Sequence, residues 1–143
     1  REAGATAHDR GTYICMEGPH FSTRAESHLY RSWGVDVIGM TNLQEAKLAR
    51  EAEMAYATVA LATDYDCWHE SEGDVNVEDV LAVVKANVET AKRVIATAAR
   101  MLAARDEPIT CEGAMRGSIM TAPAEIPPEV RQRLDLLIGK YLG

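Results

Sequence analysis

Two aspartates, Asp64 and Asp66, stand two residues apart at the end of a long apolar run. If that run is a strand, its two-residue side-chain period puts both carboxylates on one face. Carboxylates so placed can grip neighbouring polar atoms of a planar ligand. Burial, together with the charge of its twin, would keep one of them protonated and able to act as an acid. The same two residues can equally be turn formers that close the strand and cap the next segment. A second candidate is the loop Glu17, Gly18, Pro19, His20, Phe21, Ser22, which holds the only Phe of the chain. An aromatic ring in a Gly/Pro loop can stack on a base, or plug the core beneath the loop. A third is Gly39, Met40, Thr41, Asn42. Here the Thr41 hydroxyl and the backbone N–H groups of the turn can meet an oxyanion such as phosphate, or Thr41 or Asn42 can simply cap a helix.

The remaining polar residues carry weaker signals. His8, His20, His28 and His69 show no metal-ligand spacing. His69 follows Trp68 near the aspartates and reads as structural or as part of a pocket rim. Arg24 and Glu26 read as an ion-paired, partly solvated set.

These residues need elements to position them. Residues 12–16 form a short β-prone run, interrupted by Gly18 and Pro19. Ser22 or Thr23 can cap a helix with Glu26 near the capping-box position, and Gly34 is its C-terminal stop. Residues 35–40 are a second apolar strand and 42–52 a second helix. Residues 56–63 are almost continuously apolar, as in a strand buried on both faces. Asn76 can cap a long helix with acidic Glu78 and Asp79 in its first turn. That helix carries Val77, Val80, Leu81, Val84, Val88, Ala91, Ile95, Ala98 and Leu102 at three- and four-residue steps, an apolar stripe that reads first as core. Its beginning, at Val77, Val80 and Leu81, can also line a pocket opening near Asp66. Residues 106–128, rich in Pro and Gly, are predicted irregular, and 129–142 form a last amphipathic helix. Alternation of this kind argues for an α/β fold with a mixed β-sheet flanked by helices. The candidate residues fall where such folds place their sites, in the loops after the strands.

Composition bounds the possibilities. At 143 residues with 47% hydrophobic and 26% charged residues, the chain belongs with soluble globular domains. Its formal net charge of -7 argues against an open nucleic-acid surface, which needs clustered Lys and Arg. A few local donors still suffice for a phosphate. Cys15, Cys67 and Cys111 are odd in number and widely spaced, as expected of reduced thiols in a cytoplasmic protein. No stretch approaches the roughly 20 apolar residues of a membrane span. The first ten residues lack the apolar region of a signal peptide. A start at Arg1 rather than Met leads us to expect a processed, truncated or split polypeptide.

Taken together, three motifs resemble one family. They are residues 17–26, from Glu17 to the Glu26 of Arg24-Ala25-Glu26; Gly39 to Asn42 with Glu45 to Ala49; and Thr63, Asp64, Tyr65, Asp66, Cys67, Trp68. In order and spacing they resemble the methylthioadenosine phosphorylases, in the trimeric branch of the purine nucleoside phosphorylase family, over residues 11–102. The resemblance implies that residues 1–143 are the C-terminal part of a single nucleoside phosphorylase domain. It also implies that Phe21 and Met40 pack on base and ribose, and that Thr41 contacts phosphate. Asp64 and Asp66 would bond the purine at N7 and its 6-amino group, while Val77, Val80 and Leu81 would hold the 5'-methylthio group. Relatives acting on 6-oxopurines carry a Glu where Ser22 stands and an Asn in place of the base-binding aspartate. An ionised carboxylate accepts from an amine and repels a 6-oxo group, so Ser22 and the aspartates point to a 6-aminopurine.

The implied reaction is phosphorolysis of 5'-methylthioadenosine to adenine and 5-methylthioribose 1-phosphate, in purine and methionine salvage. Asp64 would be the catalytic acid at N7, and phosphate would stabilise and then capture a ribosyl cation. Inorganic phosphate is a co-substrate, and neither a metal nor an organic cofactor is called for. The phosphate-binding features of the family's N-terminal half, a glycine-bearing loop and an arginine–histidine pair, are not recognisable here. The expected partners are therefore that half and further subunits, as a homotrimer or dimer of trimers, with no nucleic acid and no membrane. The competing readings are a 6-oxopurine nucleoside phosphorylase, a nucleosidase that uses water, and a non-catalytic fragment that has kept the fold.

Overall fold

The computed structural model describes residues 2–69 and 77–143, with the side chains of Val77, Asp79 and Val80 outside the described set. The chain divides into two compact units, Arg1–Thr41 with Val59–Glu107, and Asn42–Thr58 with Pro108–Gly143. The fold class is α/β: the described residues hold two parallel strands and four α-helices, in the order strand, helix, strand and then three helices.

In the first unit, β1 (Tyr13–Cys15) and β2 (Val37–Gly39) pair in parallel, with Tyr13 opposite Val37, Ile14 opposite Ile38 and Cys15 opposite Gly39. Parallel neighbours need a crossover, supplied here by α1 (Arg24–Ser32). Both ends of α1 are written locally. Thr23 caps it in a complete capping box: the Thr23 hydroxyl accepts from Glu26 N–H at 3.3 Å, and Thr23 N–H donates to the Glu26 carboxylate at 2.7 Å. Gly34, at φ +76°, closes the helix, with Gly34 N–H donating to Arg31 C=O and Val35 N–H to Tyr30 C=O. That bond pair is a Schellman motif, and a left-handed residue at this place is most cheaply a glycine. Gly39 is needed for another reason: a Cβ there would collide with the Tyr13 hydroxyl lying across it.

Residues 56–63 do not form the third strand that their composition predicts. They have no regular structure, and Val59 is 59% exposed. A doubly buried strand exists only by virtue of its neighbours' N–H and C=O groups, and among the described residues the only ladder joins β1 and β2. The long helix α3 (Val77–Ala103) is present, and its proposed cap Asn76 lies outside the described residues. Its apolar stripe does not enter a core: Leu81, Val84, Val88, Ile95 and Leu102 all face out, Ile95 at 66% exposure. No described residue of this unit covers that face. Asn87, on α3, donates its side-chain amide to Ala62 C=O at 2.8 Å.

The second unit contains α2 (Asn42–Glu51), a 3-10 turn Pro123–Glu125, α4 (Pro128–Ile138) and a closing 3-10 turn Gly139–Tyr141. Pro128 opens α4, where its missing N–H costs nothing. The last helix was expected to continue to 142, and instead tightens into the 3-10 turn after Ile138. Glu53 organises this unit. Its carboxylate pairs with Lys140, accepts from the Tyr141 hydroxyl, and accepts from Met115 N–H at 3.0 Å. No helix among the described residues is long and apolar enough to cross a membrane.

Candidate functional site

Because β1 and β2 run in parallel, the loops that leave them start at the same edge. Phe21 and Ser22 lie on the first loop and Met40 and Thr41 follow β2 directly. The two loops approach closely, since a Cβ on Gly18 would stand 3.0 Å from the Met40 sulfur.

A third segment reaches the same place. Trp68, in the 3-10 turn Asp66–Trp68, carries the Arg31 guanidinium 3.4 Å from its ring centroid. Cation–π contact of this kind fixes the turn against α1. Cys67 Sγ–H reaches Ser22 C=O at 3.7 Å. The Asp66 carboxylate accepts from the Ser27 hydroxyl at 2.6 Å, from its neighbour Cys67 N–H at 2.8 Å, and more distantly from the Ser22 hydroxyl, 3.4 Å from either oxygen. Ser22 and Asp66, singled out separately in the sequence, therefore meet.

The two aspartates do not share one strand face. The chain turns at Asp66, which sits at φ +59°, a left-handed conformation uncommon outside glycine. Asp64 is exposed, and its carboxylate accepts from Asp66 N–H at 2.8 Å and from the Thr63 hydroxyl at 2.7 Å. That is turn geometry of the Asx kind. Asp64 thus shapes the loop, whereas Asp66 is held half-buried against α1. Phe21, at 83% exposure, and Leu81, at 62%, stand open to solvent. Thr41 is exposed and Met40 half-buried. The side chains of Val77 and Val80 lie outside the described residues. Tyr65 stacks on His69, ring centroids 4.9 Å apart, so His69 sits in an aromatic cluster with Tyr65 and Trp68. Glu26, expected beside Arg24, turns instead to Thr23, whose backbone and hydroxyl bonds hold its carboxyl below the usual carboxylate range.

One residue of the arrangement has no motif to announce it. Ser27 is 2% exposed and is the only fully buried residue among those described. Its partner is 39 positions away, so only the fold connects them.

A family model described as the Phosphorylase superfamily matches residues 1–100. The chain belongs to that superfamily. It is 60% identical over 142 residues to the S-methyl-5'-thioadenosine phosphorylase of Geobacter sulfurreducens, covering 99% of this chain and 49% of that protein. Among solved structures it is similar to a methylthioadenosine phosphorylase from an Antarctic soil metagenomic library, with TM-score 0.78, 45% identity, 90% of this chain and 45% of the other. It is also similar to the methylthioadenosine phosphorylase of Schistosoma mansoni in complex with adenine, with TM-score 0.62, 38% identity, 67% of this chain and 34% of the other. The chain spans about half the length of the curated relatives it matches. As a superfamily member it would place its strand-end loops, and the Ser22–Asp66–Ser27 cluster beside them, at the position where α/β folds hold ligands.

Proposed function

We propose that this chain is the C-terminal, base-binding part of a 5'-methylthioadenosine phosphorylase domain, a pentosyltransferase that releases adenine and forms 5-methylthioribose 1-phosphate. The observation that carries the reading is the meeting of Ser22 and Asp66 at the strand-end edge. A carboxylate backed by serine hydroxyls accepts from an exocyclic amine, and a glutamate is absent from the position where 6-oxopurine relatives carry one. The relatives' names point the same way.

In this mechanism a phosphate oxygen bonds to the anomeric carbon as the bond from that carbon to purine N9 breaks, and the leaving base gains a proton at N7. Asp64 supplies that proton and Asp66 holds the 6-amino group. Phe21 and Met40 pack on base and ribose, Ser22 lines the base subsite, and Thr41 contacts phosphate at the start of α2. Val77, Val80 and Leu81 receive the methylthio group. Phosphate is a co-substrate that stabilises the cation electrostatically, so the chemistry calls for neither metal nor organic cofactor.

The partners in this reading are the N-terminal half of the same enzyme and sister subunits, in a homotrimer or dimer of trimers, with the enzyme in the cytoplasm serving purine and methionine salvage. The uncovered apolar stripe on α3 supports it, because a face of that size is normally covered by protein. The test is adenine release from 5'-methylthioadenosine by the chain joined with its N-terminal half, with and without phosphate and with inosine as control. Release that requires phosphate and spares inosine upholds the reading. Release without phosphate makes the enzyme a nucleosidase, equal release from inosine makes it a 6-oxopurine enzyme, and no release makes the chain a scaffold.

A further inference from the structure

Asp66 is an unusual place to put a recognition group. Its backbone sits in the left-handed region at φ +59°, and it stands at the head of a three-residue 3-10 turn, an element with little stability of its own. Left to itself, an exposed aspartate there would sample several rotamers. Three donors face that carboxylate: the Cys67 N–H, the distant Ser22 hydroxyl, and the Ser27 hydroxyl. They are not equivalent. At 2.6 Å the Ser27 bond has the length of a strong hydroxyl–carboxylate contact, whereas 3.4 Å lies beyond a good O–H···O bond. Cys67 N–H bonds from within the turn itself, so it moves with Asp66 and cannot aim it.

Ser27 is different in kind, because it stands on α1, a helix capped at both ends. A serine in a helix interior brings no propensity advantage, and a buried hydroxyl must find a partner. A strong bond from a rigid helix to a strained turn is what precise placement of a carboxylate needs. The oxygen so bonded also stays an acceptor, which suits an amine on the ligand and opposes a carbonyl.

We infer that Ser27 is a positioning residue that holds the Asp66 carboxylate as an acceptor for the exocyclic 6-amino group and so sets base selectivity; the inference rests on the reading of Asp66 as a base-binding group. Ser27 touches no substrate and acts only through Asp66.

The test uses the complete enzyme and compares wild type with Ser27→Ala and Ser27→Thr. Substrates are 5'-methylthioadenosine and its 6-oxo counterpart, 5'-methylthioinosine, with KM for phosphate measured in parallel. Ser27→Ala is expected to lower kcat/KM for the 6-amino nucleoside by about 10- to 100-fold, the worth of a hydrogen bond to a charged group. It should lower the 6-amino to 6-oxo preference as well, and leave KM for phosphate unchanged. Ser27→Thr, which keeps the hydroxyl, should recover at least part of the preference. If Ser27→Ala keeps wild-type preference, or both nucleosides and phosphate suffer alike, Ser27 is only structural and the inference is overturned. A wild-type enzyme inactive on 5'-methylthioadenosine overturns the functional reading first, a result separate from any effect of Ser27.

Discussion

Glu53 should keep its ion pair far into acid. The residue stands just past α2, at φ +55°, with its side chain 7% exposed. Bonds from Lys140, then the Tyr141 hydroxyl, then Met115 N–H hold its carboxyl down to about 2, against an ordinary 4.5. The same contacts push Lys140 and Tyr141 up. The sign of the linkage follows from the direction of each shift. A depressed carboxyl contributes stability that is complete above pH 4.5 and is lost as pH falls through about 2. A raised lysine contributes stability that is complete below its ordinary value of 10.5 and is lost as pH rises past its shifted one. The closing turn should therefore stay docked through the interval, about 2.5 pH units wide (4.5 minus 2), in which an unpaired glutamate would already have protonated. Arg116 and Glu112 are the other charged groups felt by this cluster, Arg116 at Tyr141 and Glu112 at Lys140. Nuclear magnetic resonance is the direct assay, following the Glu53 carboxyl carbon, the Tyr141 ring and the Met115 amide through an acid titration. In Glu53→Gln, which has no carboxyl to titrate at this position, the Tyr141 ring and the Met115 amide should lose their acid midpoint, and the Tyr141 ring should resemble an undocked tyrosine already at neutral pH. A wild-type Glu53 midpoint near 4.5, or a Glu53→Gln protein with an unchanged Tyr141 environment, would refute the role given to this carboxylate.

Three other outcomes are expected. Asp64→Asn should lower kcat far more than it raises KM, by the roughly 100- to 10,000-fold typical of a lost general acid, and a variant with normal kcat would remove Asp64 from the chemistry. Thr23→Ala should cost about 0.5–2 kcal/mol through loss of the capping box, read as a lower Tm and faster amide exchange in α1, while Thr23→Asn should restore most of it. Ile95→Glu, on the uncovered face of α3, should weaken association with the N-terminal half by about 10- to 100-fold, the worth of one buried aliphatic side chain, and leave the helical content of the separate chain unchanged.

What could be read from the sequence was local. The capping box at Thr23 and Glu26, the stop at Gly34, the two short strands and the span of α3 all depend on residues within a few positions of one another. Rules built on such spacings find them. The contacts between residues distant in sequence, in the site and in the second unit alike, do not have that property. Ser27 meets Asp66 across 39 positions, and Glu53 meets Lys140 across 87. No periodicity encodes either pairing, and a serine inside a helix gives no outward sign. Asp66 illustrates the same limit from the backbone. Strand periodicity predicts that it continues the face of Asp64, but the carboxylate of Asp64 itself folds the chain back and turns Asp66 toward α1.

The apolar segments show where pattern and packing part company. Hydrophobic alternation in α3 and the continuous run at 56–63 record which surfaces the chain is built to bury, but not what buries them. Among the described residues neither surface is covered: no hydrophobic residue is fully buried, and the one residue that is fully buried is a serine bonded to a carboxylate. An ordinary domain of 143 residues would be expected to bury about two thirds of its surface, led by Leu, Ile and Val. A stripe at three- and four-residue steps along 27 residues of helix would be a costly ornament on a protein that never covered it, since each such side chain is worth about 1.5–3 kcal/mol when buried. The polar cluster forms without that cover because it depends on directional bonds within one capped helix and one turn. The economical account is that the two kinds of order have different sources: the bonds among Ser22, Ser27 and Asp66 form within this chain, whereas the cover for its apolar faces is, in the reading proposed above, the other half of the domain.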